Sequence, residues 1–238
     1  MKFNRRHFLI SLSSGLGLAF YSCKNLQQIQ TTNVKEIDSK TTTNSTVSSS
    51  AIPTSSVSAP KGMFAPKRGD VRLVVISDLN SSYGSTTYQT QVEKTIPLIP
   101  EWQPDLLLCA GDMIAGQKLS LTEKNIQAMW DGFDRYIATP LRQAKLPFGI
   151  TMGNHDASGY FKKYGDEYVY KKERRQAQNY WRKHQNDLNI SFLEADRFPF
   201  YYSFIHQEIF YLIWDASTFD IPTQQLEWAE KSLGSNQA

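Results

Sequence analysis

The sequence predicts an α/β domain standing behind an export signal and a polar linker. Three observations carry that expectation. Short apolar runs alternate with helical periodicity between Val71 and Met152, each run ends in a polar loop, and the first sixty residues share neither pattern. A chain of 238 residues has room for one domain of ordinary size with an appendage.

Residues 1–23 open with Lys2, Arg5 and Arg6 and continue as an uncharged stretch from Phe8 to Ser22. That stretch is short of the about 20 residues of a spanning helix and fits the apolar region of an export signal. Asn4-Arg5-Arg6-His7-Phe8-Leu9 resembles the twin-arginine signal of bacteria; an ordinary secretory signal with two coincidental arginines is the alternative. Cys23 follows Phe20-Tyr21-Ser22, a loose likeness of a lipoprotein cleavage site in which Phe and Tyr match poorly. The expected location is the periplasm or cell envelope, with or without a lipid anchor at Cys23. Residues 24–68 read as a linker: from Gln27 to Pro60 Ser and Thr dominate, and such a segment buries too little apolar surface to offset its ordering entropy.

The domain is assigned to residues 69–238. Residues 1–60 hold six of the 26 Lys and Arg and two of the 23 Asp and Glu, so 20 basic residues face 21 acidic ones from residue 61 onward. A nearly neutral domain does not indicate a general nucleic-acid surface. With Cys23 in the signal, Cys109 is the one remaining cysteine. No internal disulfide framework is available, and Cys109 reads as a small buried thiol.

Val71–Ile76, apolar and β-branched, reads as a central strand buried on both faces. Gln89 to Trp102 forms a helix broken at Pro97, and Asp105–Ala110 is a second buried strand that runs into Gly111-Asp112. Leu121, Ile126, Met129, Trp130, Phe133 and Ile137 recur at helical spacing, and Ser120-Leu-Thr-Glu123 has the form of a capping box. Phe148–Met152 is a third strand, followed by Gly153-Asn154-His155-Asp156. Lys171 to Asn186 reads as an exposed helix, and the charge run from Lys162 to Lys183 as a solvated face. Residues 198–204 and 209–215 form two antiparallel strands joined by a polar connection, with their aromatics in the core. Thr223 to Leu233 is a last short helix.

Three strands in succession thus end in polar side chains: Asp78 with Asn80, then Asp112, then Asn154 with His155. In open α/β sheets the carboxyl ends of neighbouring strands line one crevice, so these groups converge although they are distant in sequence. Hard oxygen ligands and an imidazole gathered there suit a divalent cation. Each aspartate alone also suits a turn, and Asn80 fits a ligand or a turn residue equally well.

The order S-D-L-N, G-D-M, G-N-H-D resembles the first three blocks of the calcineurin-like metallophosphoesterase family, which reads D-x-H, G-D-x and G-N-H-D or G-N-H-E. The Tyr-Tyr-Ser-Phe and Ile-Trp-Asp-Ala-Ser strands and the Gln-Leu-Glu-Trp helix resemble its later landmarks, so the likeness covers about residues 70–233. It implies a two-sheet α/β/β/α sandwich and hydrolysis of a phosphorylated small molecule or a phosphodiester. The reaction would use hydroxide generated at two divalent ions, Mn, Fe, Zn or Mg, about 3.5–4 Å apart. By position, Asp78 would bind the first metal, Asp112 would bridge both, Asn154 would bind the second, and His155 would serve the phosphate as catalytic residue.

Two departures qualify that expectation. Asn80 stands where the family usually has His, and an amide oxygen coordinates more weakly and favours Mn²⁺ or Mg²⁺. The family's downstream His and its G-H-x-H block have no counterpart; His184 lies in a basic helix and His206 in a strand connection. These departures lead to the expectation of an amino-terminal part of a phosphoesterase whose later strands are missing, completed by a second polypeptide. An inactive fragment or a metal-poor binding domain that keeps the fold is the alternative.

Overall fold

The computed structural model describes residues 58–162 and 167–235, all within one compact unit. The export signal, Cys23 and the linker up to residue 57 lie outside the described residues. Residues 58–68, assigned to the linker by composition, lie against the domain. Arg68 pairs with Asp105 at 2.6 Å, the Trp102 indole N–H donates to the Phe64 carbonyl at 3.0 Å, and Arg72 donates to the Pro66 carbonyl at 3.0 Å.

Two three-stranded sheets organise the mixed α/β fold. The first is parallel, in the order β1 (Leu73–Ile76), β2 (Leu106–Cys109), β3 (Phe148–Ile150), with Ile76 opposite Cys109 and Cys109 opposite Ile150. All three strands therefore end at one level, and the loops beyond them start side by side. β2 and β3 are the buried pair. β1 is not central: it is an edge strand among the described residues, and Val75 is 62% exposed. Its unbroken apolar run could not reveal this, because apolar content reports the demand for burial and not which neighbour meets it.

Between β1 and β2 the chain forms α1 (Thr90–Thr95) and then a 3₁₀ turn over Ile96–Trp102, where Pro97 and Pro100 remove donors the helix would need. α2 (Glu123–Phe133) starts two residues later than its apolar pattern, which opens at Leu121. The Leu121 N–H turns back to the Lys118 carbonyl, so the cap falls on Thr122: its hydroxyl accepts the Asn125 N–H, and Asn125 Oδ1 accepts the Thr122 N–H at 3.0 Å. A wide turn over Asp134–Ala138 continues into α3 (Thr139–Gln143), and α4 (Asn154–Ala157) is a single turn at the end of β3.

α5 (Lys171–Lys183) is more than a solvated face. Glu173, Arg174, Ala177 and Trp181 form a buried stripe, and Trp181 joins Trp130, Phe133 and Tyr180 in an aromatic core, with Trp130 and Tyr180 stacked at 4.8 Å. Two charged residues in that stripe hide it from a reading by hydropathy.

The second sheet is antiparallel: β4 (Ser191–Glu194), β5 (Tyr202–His206) and β6 (Ile209–Ile213), with α6 (Thr223–Ser235) after it. β4 was not expected. The β5–β6 turn is only Gln207-Glu208, both with left-handed backbone, which matches strand twist in a two-residue hairpin. The sheets are joined at Tyr202, whose hydroxyl donates to the Ile150 carbonyl at 2.8 Å and accepts the Ile150 N–H at 2.9 Å.

Arg174 anchors the strand ends to the second sheet. One guanidinium nitrogen donates to the Ala157 carbonyl at the end of α4 (2.7 Å), another pairs with Asp215 beyond β6 (2.8 Å), and the group lies between the Tyr168 and Phe200 rings. The paired side chains are 9% and 10% exposed. Removing one partner strands a buried charge, so Arg174→Met is expected to lower stability by about 3 kcal/mol in urea titration, with part recovered by Asp215→Asn in the same chain. An unchanged urea midpoint would show that the pair is not structural.

Candidate metal centre

The loops after β1, β2 and β3 are stitched together by backbone hydrogen bonds past the ends of the strands. The Asp78 N–H donates to the Gly111 carbonyl (3.2 Å) and the Asn80 N–H to the Asp112 carbonyl (3.0 Å), which holds the first loop along the second. The His155 N–H donates to Asp112 Oδ1 at 3.1 Å, which holds the third against it. Asp78, Asp112 and the Asn154-His155 pair are thereby brought to one crevice, with Asn80 at its side.

The close approach explains a glycine. A Cβ on Gly153 would lie 2.1 Å from Asp112 Oδ1, so the G-N-H-D loop can meet Asp112 only without a side chain at that position. Asp78 and Asp112 both adopt left-handed backbone, with φ of 54° and 55°. Such conformations cost of order 1–3 kcal/mol each for non-glycine residues and concentrate at functional sites. Here the same strain recurs at the ends of two adjacent parallel strands.

Each predicted ligand keeps an oxygen free of hydrogen bonds among the described residues. Asp112 uses Oδ1 for His155 and leaves Oδ2; Asp78 Oδ2 accepts the Ser77 hydroxyl and leaves Oδ1. The Asn154 Nδ2 donates to Gln117 Oε1 at 3.0 Å and leaves its own oxygen, and the Asn80 side chain makes no hydrogen bond. Burial raises the Asp112 carboxyl above the usual carboxylate range; the His155 N–H and ring act against that, and the neighbouring Asp78 charge adds to it. A carboxylate whose charge is disfavoured by burial, with a second carboxylate and open amide oxygens beside it, fits a divalent cation. Among the described residues no three His, Cys, Asp or Glu side chains cluster in a metal-binding group; the oxygens that meet at these strand ends belong to two carboxylates and two amides. The His155 ring lies 5.3 Å from that of Tyr83, and its Nδ1 is buried with no hydrogen-bond partner.

The remaining titratable candidates lie elsewhere. Cys109 is a buried free thiol whose pKa burial pushes up, as a core position requires. His184 pairs with Asp187 at 2.7 Å at the end of α5, and His206 closes β5.

Sequence reasoning assigned no role to Asp156, although it is the fourth residue of G-N-H-D. Its carboxylate is fully buried. Oδ1 accepts the N–H groups of Met113 (2.7 Å) and Ile114 (2.9 Å), and Oδ2 accepts that of Gly153 (2.9 Å). Burial pushes this carboxyl up to about 7, with the Asp112 charge adding and the backbone donors of Ile114, Gly153 and Met113 opposing. One side chain thus ties the loop after β2 to the loop after β3. Gln117 and Tyr83 were missed as well, and neither lies in a recognisable pattern.

A parallel sheet whose strand ends gather carboxylates, amides and a histidine, backed by an antiparallel sheet, defines a metallophosphoesterase-type α/β domain. The chain belongs to the calcineurin-like phosphoesterase family, whose model matches residues 71–233. Among solved structures, the purple acid phosphatase isolated from yellow lupin (Lupinus luteus) seeds is similar at 22% identity with a TM-score of 0.45, over 69% of this chain. This chain covers 28% of that protein's length. No curated protein matches the chain at a comparable level.

The Asp156 knot makes a direct prediction. Asp156→Asn keeps the shape but turns an NH₂ toward at least one backbone donor, so a loss of about 1–3 kcal/mol is expected from the unsatisfied group, measured by thermal or urea unfolding. Equal stability of the variant would mean that these donors do not depend on the carboxylate.

Proposed function

We propose that the domain hydrolyses phosphate esters, monoesters or diesters, at a dinuclear divalent-cation centre held by Asp78, Asp112 and Asn154, with Asn80 as an additional oxygen ligand. The observation that carries this reading is the meeting of Asp78 and Asp112 at adjacent strand ends, each in left-handed backbone and each with an oxygen left open. Family membership supports the reaction class.

When bound, the cations supply Lewis acidity to the phosphoryl oxygens and lower the pKa of water. The residues of the chain do the rest. Asp112, placed between Asp78 and Asn154, would supply the negative charge that two neighbouring cations need. The open oxygens of Asp78, Asn80 and Asn154 favour hard ions such as Mn²⁺ or Mg²⁺. The His155 backbone is anchored to Asp112, which sets where its ring is carried; the ring would stabilise developing charge on the substrate phosphate or protonate the leaving oxygen. The basic start and apolar stretch of residues 1–23 support export of the domain to the periplasm or cell envelope.

A second reading, a metal-poor binding domain on the same fold, is favoured by one observation: Asn80 supplies an amide where the family usually has an imidazole. The readings separate on one assay. With Mn²⁺, purified protein is expected to hydrolyse an aryl phosphate, and Asp112→Asn to lower kcat/KM by about a hundredfold to a thousandfold, on the scale of losing a main electrostatic group. Activity that survives Asp112→Asn excludes the assigned centre. Protein that binds phosphate esters without turning them over favours the second reading.

A further inference from the structure

We infer that Gln117 is a positioning residue that selects which end of the Asn154 amide faces the cation site. The inference rests on the reading of Asn154 as a cation ligand. An amide side chain presents an oxygen, which coordinates, and an NH₂ of nearly the same shape, which does not; a half-turn about its last bond exchanges them. A ligand asparagine therefore needs something to choose its end.

Gln117 makes that choice. The Asn154 Nδ2 donates to Gln117 Oε1 at 3.0 Å, so the amide oxygen points away from Gln117 and has no hydrogen-bond partner among the described residues. The backbone that carries Gln117 is itself held in place. Gln117 adopts left-handed backbone with φ of 60°. The residue before it is tied to the same helical turn that carries Asn154, through the Gly116 N–H to the His155 carbonyl at 3.0 Å. Further back, the N–H groups of Met113 and Ile114 are bound by Asp156. The loop from 112 to 117 thus lies along Asn154–Asp156, and the amide at 154 meets a side chain carried on backbone that these bonds hold independently of the cation. Groups that orient metal ligands in this way typically change metal affinity by about 10–100-fold when removed.

The test is Mn²⁺ binding by isothermal titration calorimetry on the full chain, in a double-mutant cycle. Gln117→Leu, which removes the acceptor at similar size, is expected to weaken Mn²⁺ binding by about tenfold. Gln117→Glu, which can only accept, is expected to retain wild-type affinity or exceed it. The decisive arm places Gln117→Leu in an Asn154→Asp background. A carboxylate has two equivalent ends, so the loss on removing Gln117 should shrink to within about twofold there, whereas a merely structural role would persist unchanged. Wild-type affinity in Gln117→Leu, a tenfold loss in Gln117→Glu, or an undiminished loss in the Asn154→Asp background overturns the inference. Wild-type protein that takes up no Mn²⁺ overturns the reading of the centre and this inference with it.

Discussion

The Asp156 carboxylate, buried without a cationic partner and shared among the N–H groups of Met113, Ile114 and Gly153, is the interaction on which the arrangement of the centre depends. The three parallel strands are only three or four residues long, so strand pairing alone fixes little beyond their ends. Each strand runs directly into a loop, and loops need their backbone groups satisfied before they hold a side chain still. One anion does this for two loops at once. With Gly153 and Met113 held to the same carboxylate, the His155 N–H reaches Asp112, Gly116 reaches the His155 carbonyl, and Gln117 reaches Asn154.

That arrangement is costly for the chain in isolation. Asp156, Asp112 and Asp78 are neighbouring carboxylates, two of them in left-handed backbone, and burial raises the pKa of both Asp112 and Asp156. Stability is recovered outside the crevice. The aromatic core of Trp130, Phe133, Tyr180 and Trp181 backs the first sheet, Tyr202 bolts the second sheet to β3, and Arg174 ties the end of α4 to Asp215. Strain at the site and packing around it are thus separate structures. A site that disfavours itself when bare and is held rigidly from outside is suited to a ligand of opposite charge.

Most of the first half of the domain was legible because its signals are local. Apolar runs at 73–76, 106–109 and 148–150 mark strands, Pro97 marks the change from α-helix to 3₁₀ turn, and G-D and G-N-H-D mark the loops. The features that escaped depend on partners far away in sequence. The edge position of β1 depends on which strands flank it, and Val75 reads the same whether covered or bare. β4 is a short segment with its side chains largely exposed, so it carries no clear alternation. The buried stripe of α5 includes Glu173 and Arg174, which hydropathy counts as surface, while geometry pairs Arg174 with a residue 41 positions away. The candidate site divides in the same way. Asp78, Asp112, Asn154 and His155 announce themselves by motif, whereas Gln117 acquires its place only once the loop after β2 is folded along α4.

A divalent ion held among Asp78, Asp112 and Asn154 is the claim on which the chemistry depends, and anomalous diffraction from crystals grown with Mn²⁺ tests it without reference to any substrate. A Mn²⁺ peak in contact with the open oxygens of Asp112 and Asn154 is the expected result. Fully occupied Mn²⁺ elsewhere on the chain, with none at the loops after β1, β2 and β3, would contradict a cation centre at these strand ends.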